Sequence, residues 1–214
     1  MTAKDDSDLI FDGPEDAPTT VVLAHGAGAP MNTPFMNSVA RGLASGGGVR
    51  VVRFEFPYMR AQRALGRRRA PNGAGALLES WREAIAAVGE PAGLVIGGKS
   101  MGGRIASMLA DDVGARGLLV LGYPFHAPGR PGQLRVEHLA ALRTPALICQ
   151  GERDPFGTRA EVEGYVLSPA VRLHWLPDGD HSFVPRRSSG RSEEQNLREA
   201  VAASIAFIES LPAA

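Results

Sequence analysis

Residues 97–103 read Gly-Gly-Lys-Ser-Met-Gly-Gly and follow the apolar run Leu94-Val95-Ile96. A serine at the tip of a strand–turn–helix, flanked by Gly98 and Gly102, presents its hydroxyl at the edge of a sheet, where it can attack a carbonyl. The turn is sharp and strained, and the helix behind it must pass close to the strand, so its neighbours must be small. A serine hydroxyl is a weak nucleophile on its own. It needs a base, an acid to orient that base, and hydrogen-bond donors for the oxyanion that forms. The base is expected to be His181, in the polar run Pro177-Asp178-Gly179-Asp180-His181-Ser182-Phe183. The orienting acid is expected to be Asp154, in Gln150-Gly151-Glu152-Arg153-Asp154-Pro155. Glu152, Asp178 and Asp180 compete for that role. Asp180 ranks lower because adjacent side chains in a turn diverge. The oxyanion donors are expected to be the backbone N–H of Ala27, with Gly28 next, and that of Met101 at a helix start. The chemistry would be acyl transfer to Ser100.

The remaining reactive side chains have simpler readings. His174 falls within a strand and His138 within a helix, where packing suits them, and His25 holds its own loop. Cys149 is the only cysteine. It sits in the apolar run Ala146-Leu147-Ile148-Cys149 and reads as inert and buried, with no disulfide available to it. No His/Cys group has metal-ligand spacing, so neither a metal nor a cofactor is expected. Lys99 adjoins the serine, but alternate residues of a strand point to opposite faces. Its side chain is expected to point away, and no role is assigned to it.

Six strand-like runs set these residues in place: Thr20–Ala24, Val49–Phe56, Leu94–Gly97, Gly117–Gly122, Ala146–Gln150 and Val171–Leu176. Helix-like segments alternate with them at 34–44, 76–88, 101–110, 138–142, 159–166 and 193–211. Most of the strands are continuous apolar runs, the mark of a parallel sheet covered on both faces. The expected fold class is α/β: a three-layer α/β/α sandwich with a mostly parallel sheet of about six strands. Residues 18–214 are expected to form one domain, preceded by a segment, 1–17, that is flexible or adds a short strand. The irregular stretches 57–75, 123–137 and 178–192 all follow strands. They therefore rise at the carboxyl edge of the sheet, where such folds place their sites.

The 214 residues carry 23 basic and 23 acidic side chains, and 44% of them are hydrophobic. Zero net charge gives no drive toward nucleic acid or a membrane surface. Met1 to Asp12 is acidic and lacks the apolar core of an export signal, and no run approaches the length of a membrane span. A cytoplasmic location is expected. Only Lys4 and Lys99 are lysine; the other basic residues are arginine. Arg60, Arg63, Arg67, Arg68 and Arg69 cluster after the second strand, and Arg186, Arg187 and Arg191 follow His181. If both loops rise near Ser100, Arg60, Arg63, Arg67, Arg186 and Arg187 would form a basic rim that favours an anionic small-molecule substrate. A solvated surface explains the same residues.

The order Ser100, Asp154, His181, with each residue after its own strand, resembles the α/β-hydrolases. Four landmarks match: the His25-Gly26-Ala27-Gly28 loop, the Gly98-Lys99-Ser100-Met101-Gly102-Gly103 elbow, the Gly151-Glu152-Arg153-Asp154-Pro155 turn and the Asp180-His181-Ser182-Phe183 turn. More narrowly, the chain is similar to small bacterial hydrolases related to dienelactone-hydrolase-like proteins, over about residues 18 to 211. The resemblance implies a serine hydrolase that cleaves an ester or thioester through an acyl-enzyme. Members with a large cap insert helices where this chain has only Tyr123 to Glu137, so an open, shallow pocket is expected. The family's usual first two strands are absent unless Leu9 to Phe11 supplies one. Two other readings share these residues: a binding or scaffolding module of little activity, and an acyltransferase or peptidase on the same fold.

Overall fold

The computed structural model describes residues 9–212. Seven strands form one sheet: β1 (Leu9–Asp12), β2 (Thr20–Ala24), β3 (Arg50–Phe54), β4 (Leu94–Lys99), β5 (Gly117–Leu121), β6 (Ala146–Gly151) and β7 (Val171–Leu176). Their spatial order is β1-β3-β2-β4-β5-β6-β7. All pairs are parallel except β1, which runs antiparallel to β3. The helices are α1 (Pro34–Gly47), α2 (Pro57–Leu65), α3 (Ala74–Val88), α4 (Met101–Ser107), α5 (Ala110–Val113), α6 (Arg159–Val162) and α7 (Glu193–Glu209).

Alternation along the strands divides the core into two layers. Val21, Leu23, Val95, Leu119, Leu121 and Leu147 face α1 and α7, where they meet Met36, Val39, Leu43, Phe207 and Ile208. Val22, Ile96, Leu118, Val120 and Ile148 point the other way, toward Trp81 and Ile85 of α3 and Ile105 of α4. Strands β5 and β6 are buried along their whole length, which is why they read as unbroken apolar runs. Each fully buried Leu, Ile or Val contributes about 1.5–3 kcal/mol. The long helices have local start and stop signals. Thr33 caps α1 by accepting the Met36 N–H, and Gly48 ends it at φ 58°. A reciprocal Ser192–Gln195 capping box opens α7.

The connections reverse direction at the centre of the sheet. From β2 the chain crosses through α1 to β3 on one side, then returns through α2 and α3 to β4 on the other. The crevice at such a reversal lies at the carboxyl ends of the strands. Ala24 of β2 is in register with Gly98 of β4, so the loop after β2 and the turn holding Ser100 leave the sheet side by side.

The short strand that the sequence left open is present: Leu9–Asp12 joins the edge of the sheet as a seventh strand, and residues 1–8 lie outside the described residues. Three helical features differ from the expectations. The stretch 57–75, expected to be irregular, begins with α2: Pro57 occupies the first turn and Gly66 closes it in the left-handed region at φ 64°. The helix expected over 101–110 breaks at Met108–Leu109 into α4 and α5. The segment expected over 159–166 holds a single α-turn, started by a Thr158–Glu161 capping box. Between β5 and the 3₁₀ turn at Glu137–Ala141 the described chain contains no helix, so no large cap covers the carboxyl edge.

Candidate active site

Ser100 sits between β4 and α4 with φ 51° and ψ −114°. A non-glycine residue holds such a conformation only where its surroundings enforce it. The crowding around the turn shows what enforces it. A Cβ at Gly98 or at Gly102 would collide with the backbone of Ala24. The two glycines therefore let β2, β4 and the first turn of α4 close on one another, and the tight turn projects the serine side chain into the crevice.

The Ser100 hydroxyl lies 2.8 Å from His181 Nε2, and His181 Nδ1 lies 2.7 Å from Asp154 Oδ2. A carboxylate only accepts, so Nδ1 carries the proton and Nε2 is left to accept the serine O–H. Asp154 is fully buried. Its carboxylate is satisfied by three donors: His181, the Gln150 side-chain amide at 2.9 Å and the Phe156 N–H at 2.8 Å. Gln150 is itself locked by the Tyr123 N–H at 2.7 Å and by carbonyls of Tyr123 and Gly157. The imidazole packs on Phe156, with ring centroids 4.2 Å apart. A hydroxyl paired with an imidazole that a buried carboxylate orients is set up for proton removal and attack on an electrophilic carbon.

The competing acids are engaged elsewhere. Asp180 accepts the N–H groups of Ser182 and Val184 and so shapes the turn. Asp178 pairs with Arg153 and Arg186, and Glu152 with Arg159 and the Asp178 N–H. The other histidines are likewise placed by packing. Buried His25 accepts the Phe56 N–H at Nε2 and meets the Gly26 carbonyl through Nδ1, which ties the loop after β2 to the chain after β3. Burial lowers its pKa. His138 bonds Ser107, His174 bonds Glu199, and His126 faces the Ala127 carbonyl and Glu161.

Ser100 and His181 open onto a cleft of about 650 Å³ that Ala27 and Met101 also line. The Gly28 N–H is occupied by the Tyr58 hydroxyl at 3.2 Å. Of the two candidate donors in that loop, Ala27 is therefore the one at the cleft. Met101 begins α4, and the first-turn N–H groups of a helix have no partner within it.

Lys99 departs from its expected orientation. Its side chain lines the cleft, and Nζ donates to the His181 carbonyl at 2.6 Å. Strand β4 stays in register as far as Lys99, opposite Leu121, so alternation sends Lys99 to the same face as Val95 and Leu121, and at the carboxyl edge that face opens into the cleft. Burial brings its pKa down to about 8, and the Phe35 and Phe183 rings lie 5.4 and 6.0 Å from Nζ. The expected arginine rim is also placed differently. None of Arg60, Arg63, Arg67, Arg186 and Arg187 lines the cleft. Arg60 and Arg63 ride on α2, and Arg63 and Arg67 line a separate cavity beside Glu55. Arg186 pairs with Asp178, and Arg187 is exposed on a short 3₁₀ turn. The arginines that do line the cleft are Arg104 and Arg135, which the sequence reading did not single out. Arg104 had a usable signal, since it follows Ser100 by one helical turn; Arg135, in an irregular segment, had none.

No group of three or more His, Cys, Asp or Glu side chains suited to a metal occurs among the described residues. No described helix is long and apolar enough to cross a membrane.

Comparison with known proteins places this geometry in context. Residues 17–209 match the family described as the alpha/beta hydrolase domain. An alpha-beta serine hydrolase homologue from Coxiella burnetii superposes with a TM-score of 0.66 at 20% identity, covering 92% of this chain and 90% of that one. A lid-free serine hydrolase from Xanthomonas campestris gives a TM-score of 0.61 at 21% identity, covering 97% and 90%. Est1E from Butyrivibrio proteoclasticus gives 0.64 at 14% identity, covering 97% and 98%. At these identities the likeness is one of fold.

Proposed function

The chain belongs to the alpha/beta hydrolase domain family, and from that premise we propose that it is a serine hydrolase cleaving a carboxylic ester or thioester through an acyl-enzyme. The observation that carries this reading is the unbroken hydrogen-bonded line from Ser100 through His181 to Asp154, at the floor of an open cleft.

His181 Nε2 takes the Ser100 proton as Oγ attacks the acyl carbonyl, and Asp154 holds the imidazole in position and stabilises its charged form. The oxyanion is held by the N–H groups of Ala27 and Met101. The tetrahedral adduct collapses as His181 delivers its proton to the leaving alcohol or thiol. Water then enters and gives a proton to His181. Its oxygen attacks the acyl carbon, and the second collapse returns that proton to Ser100 and releases the acid. Lys99 acts as a positioning residue, because its ammonium holds the main chain of His181.

A fluorophosphonate probe tests the assignment. Labelling of the wild type and none of Ser100→Ala is the expected result. A well-folded wild type that takes no label would favour a binding module on the same fold.

A further inference from the structure

The charged side chains lining the cleft beside Ser100 and His181 are Lys99, Arg104 and Arg135, with no aspartate or glutamate among the lining residues. Lys99 spends its ammonium on the His181 carbonyl. The two arginines differ from several of the cations around the carboxyl edge. Arg186, Arg153, Arg159 and Arg63 each have an acidic partner. Among the described residues neither Arg104 nor Arg135 makes an ion pair or a side-chain hydrogen bond, and the Nε of Arg104 is buried with no acceptor.

Both guanidinium groups are mounted on fixed backbone. Arg104 donates its N–H to the Ser100 carbonyl at 2.9 Å, which closes the first turn of α4, and both side chains line the cleft. Arg135 is pinned by its N–H to the Phe125 carbonyl at 2.8 Å, and its own carbonyl accepts the Tyr123 hydroxyl at 2.8 Å. The two lie close enough to repel. Burial lowers the Arg135 pKa, and the charge of Arg104 lowers it further. Two half-buried like charges without an acid between them raise the energy of the empty cleft, and a bound oxyanion relieves it.

We propose that Arg104 and Arg135 form an anion-binding subsite of the Ser100 cleft, so that the preferred substrate is a small ester or thioester bearing a carboxylate or phosphate a short spacer from the scissile carbonyl. The substrate half of this inference rests on the serine-hydrolase reading; the anion site itself does not.

The test compares kcat/KM for 4-nitrophenyl hydrogen adipate and its uncharged methyl ester in wild type, Arg104→Gln, Arg135→Gln and the double variant. Reading the ratio of the two esters cancels any loss common to both. Wild type should prefer the anionic ester about tenfold or more, and the preference should shrink with added salt. Each single variant should reduce the ratio, and the double variant should bring it close to one. Equal rates in wild type, or a preference that survives in the double variant, would overturn the proposal. Titration calorimetry with adipate and with inorganic phosphate reads the same site without turnover. Binding that weakens at least tenfold in the double variant supports it, and the tighter of the two ligands identifies the anion. Binding undetectable in wild type, or unchanged in the double variant, overturns it. Should neither ester turn over while adipate or phosphate still binds through the arginines, the hydrolase reading fails and the anion site stands.

Discussion

At the scale of single residues, the candidate site is a chain of side chains each fixed by the next. Ser100, His181 and Asp154 were legible in the sequence because each sits in a short turn whose residue types carry local meaning: glycines around the serine, a polar turn around the histidine, a Gly-x-x-Asp-Pro turn after a strand. Arg104 carried only its spacing of one turn from Ser100, Arg135 lies in an irregular segment with no local pattern, and the place of the Lys99 ammonium is set by a contact far along the chain. Lys99 reaches the His181 carbonyl across 82 positions. Removing the serine hydroxyl in Ser100→Ala should lower kcat/KM toward an acyl ester by at least about a thousandfold. Asp154→Asn should cost a comparable factor, because the amide can impose the wrong imidazole tautomer. Lys99 makes a prediction about pH. Its folded pKa of about 8 lies below the ordinary lysine value of 10.5, so between those values the unfolded chain binds more protons and stability rises with pH. Denaturant melts from pH 7.5 to 10 should show wild type gaining stability relative to Lys99→Met as pH rises. A constant difference between the two would show that the lysine is not desolvated.

At the scale of elements, the parallel strands and the long helices could be read from apolar runs and caps, since burial on both faces leaves few alternatives. The edge was harder. Strand β1 has four residues and only one paired side, so its sequence carries little pattern. Its anchor is a tertiary one. Buried Arg53 of β3 reaches Asp12 at 2.7 Å, Asn37 at 2.6 Å and the Met31 carbonyl at 2.9 Å. Asp12→Ala strands that guanidinium without its carboxylate and should destabilise the fold by about 3–5 kcal/mol, measured by chemical denaturation. A loss under 1 kcal/mol would mean that solvent reaches Arg53. Helix α2 shows the opposite failure. Its arginine-rich composition looked like a loop over the site, whereas Pro57 and Gly66 bracket a helix that buries Tyr58 and Met59 and sends Arg63 to Glu55.

At the scale of the whole molecule, the reversal of connections between β2 and β4 brings the Ala27 loop and the Ser100 turn together. The parallel register of β6 and β7, with Gly151 opposite Leu176, does the same for the turns that hold Asp154 and His181. Without helices between β5 and the 3₁₀ turn at Glu137, the crevice stays open, and its polarity is set by the cations along its wall. The function proposed above turns on one covalent event, transfer of an acyl group to Ser100. The most direct measurement mixes the protein with 4-nitrophenyl acetate, quenches it in acid within the first turnovers and maps the added mass by peptide mass spectrometry. An acetyl group on the peptide containing Ser100, absent from Ser100→Ala, is the predicted result. Ester turnover that persists in Ser100→Ala, with no acyl group on that peptide in wild type, would contradict it.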